Sequence, residues 1–168
     1  MGTFFLALNA SQSAKVRRVM EGGREYLVAP VVLLQEQVLA GSKGPLFYPA
    51  AEIRRNVSQW DRVPLTLGHP YHFGNHVSAN YPGIIEHKGM GEIRNHHIDG
   101  RDRLKGECWF DVVRTARVSP TVLNLLERNQ RINVSTGLYT DNVEVPPGTV
   151  YNSPKGPQVY THIARGYR

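Results

Sequence analysis

Two short segments carry residue types capable of acyl-transfer chemistry. Leu67-Gly68-His69-Pro70 places a histidine at the end of the apolar run VPLTLGHP, where a proline turns the backbone. Asn133-Val134-Ser135-Thr136-Gly137 places a serine inside a second apolar run, INVSTGLY, with a glycine two residues on. A serine hydroxyl is a weak nucleophile at neutral pH. An imidazole, with an ordinary pKa near ~6.5, can take its proton during attack and return it to the leaving amine. A third group would hold the imidazole in one tautomer, and donors must meet the oxyanion of the tetrahedral intermediate. Backbone N–H groups at Thr136 and Gly137 are candidates for the oxyanion, since glycine lets main chain approach a substrate closely. Taken singly, a serine in a strand is most often a tolerated small residue and a histidine before proline a turn residue. Their order, with the patterned stretch Gly91 to Asp111 between them, makes them a candidate pair.

The elements that must position this pair read as β-rich, because glycine and proline are frequent and mark many turns. Residues 1–23 suggest a first strand and a hairpin turn ending in Gly22-Gly23, and Arg24 to Leu34 a strand bent at Pro30. Gln35 to Gly44 reads as a polar loop, and Tyr48 to Val57 as a helix with Pro49 in its first turn. Val63 to Leu67 is a short strand that delivers His69. Residues 70–90 show aromatics, histidines and little periodicity, and read as a functional or partner-contacting loop. Met90 to Asn95 is a strand, the Asp99-Gly100 pair marks a hairpin turn, and Leu104 to Phe110 alternates as a half-buried strand. That alternation puts Cys108 inside, as a small hydrophobe rather than a nucleophile, and Trp109 outside. Ser119 to Arg128 is a helix with Ser119 as N-cap and Pro120 at its first position. Ile132 to Thr140 is the strand carrying Ser135. Two proline-glycine loops follow, then a last strand from Gln158 to Ala164. The count is about seven strands and two helices.

The 168 residues suit a single domain with a real core. A net charge of +6 would allow a nucleic-acid partner, but the arginines are scattered and no basic face interleaves with aromatics, so nucleic acid is not expected as a partner. Cys108 is the sole cysteine, which excludes an internal disulfide and a cysteine-based zinc cage and points to a reducing compartment. The apolar run Phe4 to Leu8 is too short, and lacks a preceding positive residue, for a signal peptide; no run approaches a membrane span. His96 and His97 flank the hairpin as solvated residues. His69, His72 and His76 have metal-ligand spacing if they share a helix face, but Pro70, Gly74 and Asn75 argue against a helix there, so neither metal nor cofactor is expected.

The order LGHP, GEIRNHHIDGRDRLKGECWFD, a helix, then RINVSTGLY resembles the prohead (capsid maturation) proteases of tailed phages, over roughly residues 24 to 165. That family is similar in fold to the herpesvirus assembly proteases. The resemblance implies a mainly β chain with flanking helices (α+β), built on an antiparallel β-barrel of about seven strands. It implies a serine endopeptidase, with Ser135 matching the nucleophile and His69 the general base. The third member falls in the family on the strand after the nucleophile strand, where His162 stands here, with Asp141 and Glu144 as alternatives. Because the chain stops at Arg168, the resemblance suggests a chain cut short of a last strand. It further implies the major capsid and scaffold proteins as substrates, cleavage of its own termini, a homodimer, and a place inside the immature procapsid in the host cytoplasm. Two other functions fit the same residues: a catalytically silent protease fold serving as an assembly factor, and a metal-dependent hydrolase using His69, His72 and His76.

Overall fold

The computed structural model describes residues 2–7, 15–41, 44–73 and 75–167; the side chains of residues 2–7, 75, 76 and 135 lie outside that description. In chain order the elements are β1 (Gly2–Ala7), β2 (Arg17–Glu21), β3 (Arg24–Leu34), β4 (Gln37–Gly41), β5 (Gly44–Tyr48), α1 (Ala50–Arg55), a 3₁₀ turn (Val57–Trp60), β6 (Pro64–Thr66), β7 (Tyr71–His72), β8 (Asn75–His76), α2 (Pro82–Lys88), β9 (Gly89–Ile98), β10 (Leu104–Asp111), α3 (Val112–Val118), α4 (Pro120–Glu127), β11 (Asn133–Leu138), β12 (Asp141–Glu144), β13 (Val150–Ser153), β14 (Gly156–Val159) and β15 (His162–Arg165). The class is mainly β with helices, as expected.

The central sheet has the order β2-β3-β10-β9-β6 and is antiparallel throughout. β2 and β3 meet at Gly22-Gly23, both with positive φ (57° and 75°), the conformation a two-residue hairpin demands and glycine adopts without strain. Pairing with β2 ends at Val28, so among the described residues no strand on that side needs the missing donor of Pro30. Along β3, Leu27, Ala29, Val31 and Leu33 point into the main core, and from β10 come Leu104, Cys108 and Phe110. This two-residue period is what the sequence predicts. Cys108 is fully buried, and burial pushes its thiol up to about 12, which makes it inert as a nucleophile.

The opposite face of the sheet is also covered, against expectation for Trp109. Its ring is buried with Tyr26 and Val28 and meets Tyr26 edge-on at 5.6 Å. The Arg94 guanidinium lies 4.4 Å from the Trp109 ring centre and 5.3 Å from that of Tyr26. Glu107 accepts from Trp109 Nε1 at 3.1 Å and from both terminal nitrogens of Arg17 at 3.0 Å. Charged side chains thus roof a small aromatic core, their stems supplying apolar cover.

The expected single barrel is not confirmed: five separate sheets are present among the described residues, and none closes on itself. Both edges of β3 are taken, by β2 and β10, so β11 has no place there and pairs with β1 in a two-stranded ladder. The second large sheet, β12-β15-β5-β4, contains a parallel pair, His162 to Leu46 and Ile163 to Phe47, where an all-antiparallel arrangement was expected. It joins the core through Leu46, Tyr48, Ala164 and Tyr167, the two tyrosine rings lying 5.9 Å apart.

Several local expectations also change. The predicted loop 35–44 is a hairpin, β4 with β5. The stretch 70–90 divides into the β7–β8 hairpin and helix α2. A further helix, α3, follows β10 directly, with the Asp111 carboxylate accepting from Arg114 N at 2.9 Å. The predicted last strand splits at Tyr160-Thr161, because Tyr160 N bonds Thr149 O and Thr161 N bonds Pro45 O. No helix among the described residues is long and apolar enough to cross a membrane.

Candidate active site

His69 reaches its position through a tightly specified turn. β6 pairs with the inner strand β9, Leu67 N donates to Lys88 O at 3.0 Å, and the Thr66 hydroxyl donates to Gly68 O at 3.1 Å. Gly68 then takes φ +70°, which a side chain would resist, and the chain presents His69, half-buried, ahead of the buried Pro70.

The strand that carries Ser135 is anchored from its other face. Thr136 is buried and its hydroxyl donates to Leu33 O at 3.3 Å; Leu138 is buried, and Val134 packs on the core. Asn133 and Gly137 are exposed and lie, by the strand period, on the opposite, outward face. Across the ladder Ser135 lies opposite Phe5 and Gly137 opposite Thr3. The His69 ring lies against this outward face: a Cβ built on Gly137 would sit 3.9 Å from His69 Nδ1. The fold therefore brings the LGHP turn to the NVSTG strand, at Gly137.

His162 belongs to another sheet. On β15 it pairs with Glu144 across β12 and with Leu46 across β5, and its Nδ1 shares a 2.9 Å hydrogen bond with the Thr161 hydroxyl. Asp141 opens the same β12–β15 ladder opposite Arg165, its carboxylate 2.9 Å from where Gly166 would carry a Cβ. The three alternatives for a third member thus lie on one ladder, entered three residues after Leu138. Of the two residues suggested for the oxyanion, Thr136 has its hydroxyl committed to Leu33, leaving only main-chain donors from it.

Among the described residues no group of three or more His, Cys, Asp or Glu side chains converges as a metal set. His72 and His76 lie on the two strands of a hairpin rather than on a helix, and His72 is exposed, its ring against Phe73 and Tyr81. His97 is exposed, and its Nδ1 meets Asn95 O at 3.0 Å, within its own strand. What the sequence reading missed is the aromatic surface beside His69: Tyr71, Phe73 and Tyr81 are all exposed. Its signal was present, since residues 63–85 contain no Asp, Glu, Lys or Arg in a chain otherwise well supplied with them.

The fold is similar to that of the bacteriophage T4 capsid assembly protease, gp21. The TM-score is 0.56 at 12% sequence identity, and the match covers 99% of this chain and 90% of the T4 protein. At that identity the likeness is one of fold. No protein-family model and no curated protein matches the sequence.

Proposed function

We propose that this chain is a serine endopeptidase of phage capsid maturation, with Ser135 as nucleophile and His69 as general base. The observation that carries the proposal is the packing of the His69 ring against Gly137, two residues along the strand from Ser135. Two strand residues span about 6.8 Å, a gap that one imidazole and one hydrogen bond can bridge. The capsid assembly protease fold supports the same reading independently of these residues.

In the proposed reaction the Ser135 oxygen adds to the scissile carbonyl carbon while its proton passes to the His69 imidazole. The carbonyl π pair moves onto oxygen, where backbone N–H groups at Thr136 and Gly137 meet the charge. Collapse expels the amine, which takes the proton back from His69 and leaves an acyl-serine. Water, deprotonated by the same imidazole, then releases the acid and restores the serine. The β12–β15 ladder supplies the group that orients His69, from His162, Asp141 or Glu144. The substrates are segments of scaffold and major capsid protein inside the immature shell, where high local concentration makes weak recognition sufficient. Cleavage of its own termini follows from the same confinement.

Co-expression with candidate capsid and scaffold proteins tests this. Processing should occur with the wild type and vanish in both Ser135→Ala and His69→Ala. Shells that assemble without processing around the wild type would favour an assembly factor with a silent protease fold, and processing that survives Ser135→Ala would displace the nucleophile.

A further inference from the structure

Directly after His69, the chain makes a feature that folding alone does not call for. Strands β7 and β8 form a two-stranded hairpin, Tyr71 opposite His76 and His72 opposite Asn75, closed at its base by Val77 N donating to Pro70 O at 3.1 Å. At the tip stands Phe73, 91% exposed, with φ +48°. Tight hairpins ordinarily place Asn, Asp or Gly in this left-handed region, and a bulky aromatic there is rare. An aromatic ring is therefore held in water on a strained backbone, a combination that costs stability twice. Outliers of this kind concentrate at ligand clamps and functional sites.

The ring is not isolated. Phe73 meets His72 edge-on at 4.3 Å, and His72 meets Tyr81 at 5.7 Å, so three rings form a continuous surface that ends at α2. Tyr71, half exposed, lies at the foot of the same hairpin, next to Pro70. No formal charge occurs from residue 63 to residue 85, so this surface complements a neutral, apolar group rather than an acidic or basic one.

We infer that the hairpin is a substrate-selecting wall of the active site, with Phe73 and Tyr81 receiving an aromatic or large aliphatic side chain of an extended peptide. The inference rests on His69 being the general base, since it is continuity with that residue that places the wall beside the scissile bond. The occupant is a segment of the protein to be cleaved, lying across the outward face of β11 with its apolar side chain against the rings. Phe73 is a specificity residue: it touches substrate away from the reacting atoms.

The test uses the full chain carrying Ser135→Ala and fluorescein-labelled dodecapeptides of Gly and Ser, with one central position varied among Phe, Leu, Gly, Glu and Lys. Fluorescence anisotropy should show the Phe and Leu peptides binding about tenfold more tightly than the others, as expected from burial of one large apolar side chain. Phe73→Gly should abolish that preference while leaving the melting temperature unchanged or raised, since glycine relieves the backbone. Equal binding of all five peptides, or a preference that survives both Phe73→Gly and Phe73→Ala, overturns the inference. Cleavage of peptides of the same composition by the wild type separates the two readings. Preference without cleavage sinks the serine-protease reading and leaves a peptide-binding hairpin; Ser135-dependent cleavage without preference sinks the hairpin and leaves the catalytic pair.

Discussion

Substituting Gly137 probes the contact on which the site depends. A Cβ at this position would lie 3.9 Å from His69 Nδ1, an ordinary van der Waals separation, so Gly137→Ala should be accommodated with the ring in place. Valine extends about 1.5 Å further, which brings a methyl to within about 2.4–3 Å of the ring if it points that way. The branched side chain has few rotamers with which to avoid this, and restoring normal contact requires the imidazole to retreat by roughly 1 Å. Misplacement of a catalytic group by that distance costs about 100-fold in rate. Stability should not fall, because Gly137 is exposed, has no left-handed φ, and valine suits a strand. The assay is the rate of inactivation by a fluorophosphonate, read alongside the melting temperature for the wild type, Gly137→Ala and Gly137→Val. The expected order is wild type close to Gly137→Ala, with Gly137→Val about 100-fold slower at unchanged stability. A Gly137→Val protein that reacts as fast as the wild type would refute the placement of His69 against this strand.

Other consequences concern the scaffold. Gly91→Ala puts a Cβ 1.9 Å from Trp109 O, at the last pair of the β9–β10 ladder, and should destabilise by more than about 3 kcal/mol in urea titration. Ser119→Ala removes the side-chain acceptor of Val122 N at the start of α4 and should cost about 1 kcal/mol by the same measurement, with little effect from Ser119→Asp. Burial holds the phenols of Tyr48 and Tyr167 protonated well above their ordinary pKa of 10.0. Their folded pKa values are raised, so their contribution is intact below pH ~10 and is lost as the pH climbs past the unfolded value. Thermal denaturation should therefore show a falling melting temperature above pH ~10, with a shallower fall in Tyr167→Phe. The Tyr167 hydroxyl is buried and has no hydrogen-bond partner among the described residues, so that variant should lose little at neutral pH.

What could be read from the sequence follows from which signals are local. β3 runs from Arg24 to Leu34 as expected, because its alternation, its Gly-Gly turn and its polar end are all encoded within the strand. Helix α4 begins at Pro120 under a Ser119 cap for the same reason. β4 was missed because Val38-Leu39 is too short an apolar signal to separate from a loop, and only pairing with β5 makes it a strand. Helix α3 was hidden because its cap, Asp111, is also the last residue of β10. Trp109 was placed outside because alternation assigns faces but cannot tell that Arg94 and Arg17 will roof one of them. The barrel was not legible because closure is decided at long range, where the partner of β11 is β1, far away in the chain. Around the candidate site, the strand Asn133–Leu138 and the turn at Gly68 were legible as elements, because the first lies within an apolar run and the second ends one at a proline. The aromatic hairpin between them was seen only as a functional loop, since the rings of His72, Phe73 and Tyr81 come together only once the hairpin turns.

The most direct test of the account is to treat the wild type, Ser135→Ala and His69→Ala with a fluorophosphonate and locate the adduct by peptide mass spectrometry. The account predicts one adduct on Ser135 in the wild type, none in Ser135→Ala, and labelling slowed by at least about 100-fold in His69→Ala. An adduct on another residue, or labelling of Ser135 at the same rate with and without His69, would contradict it.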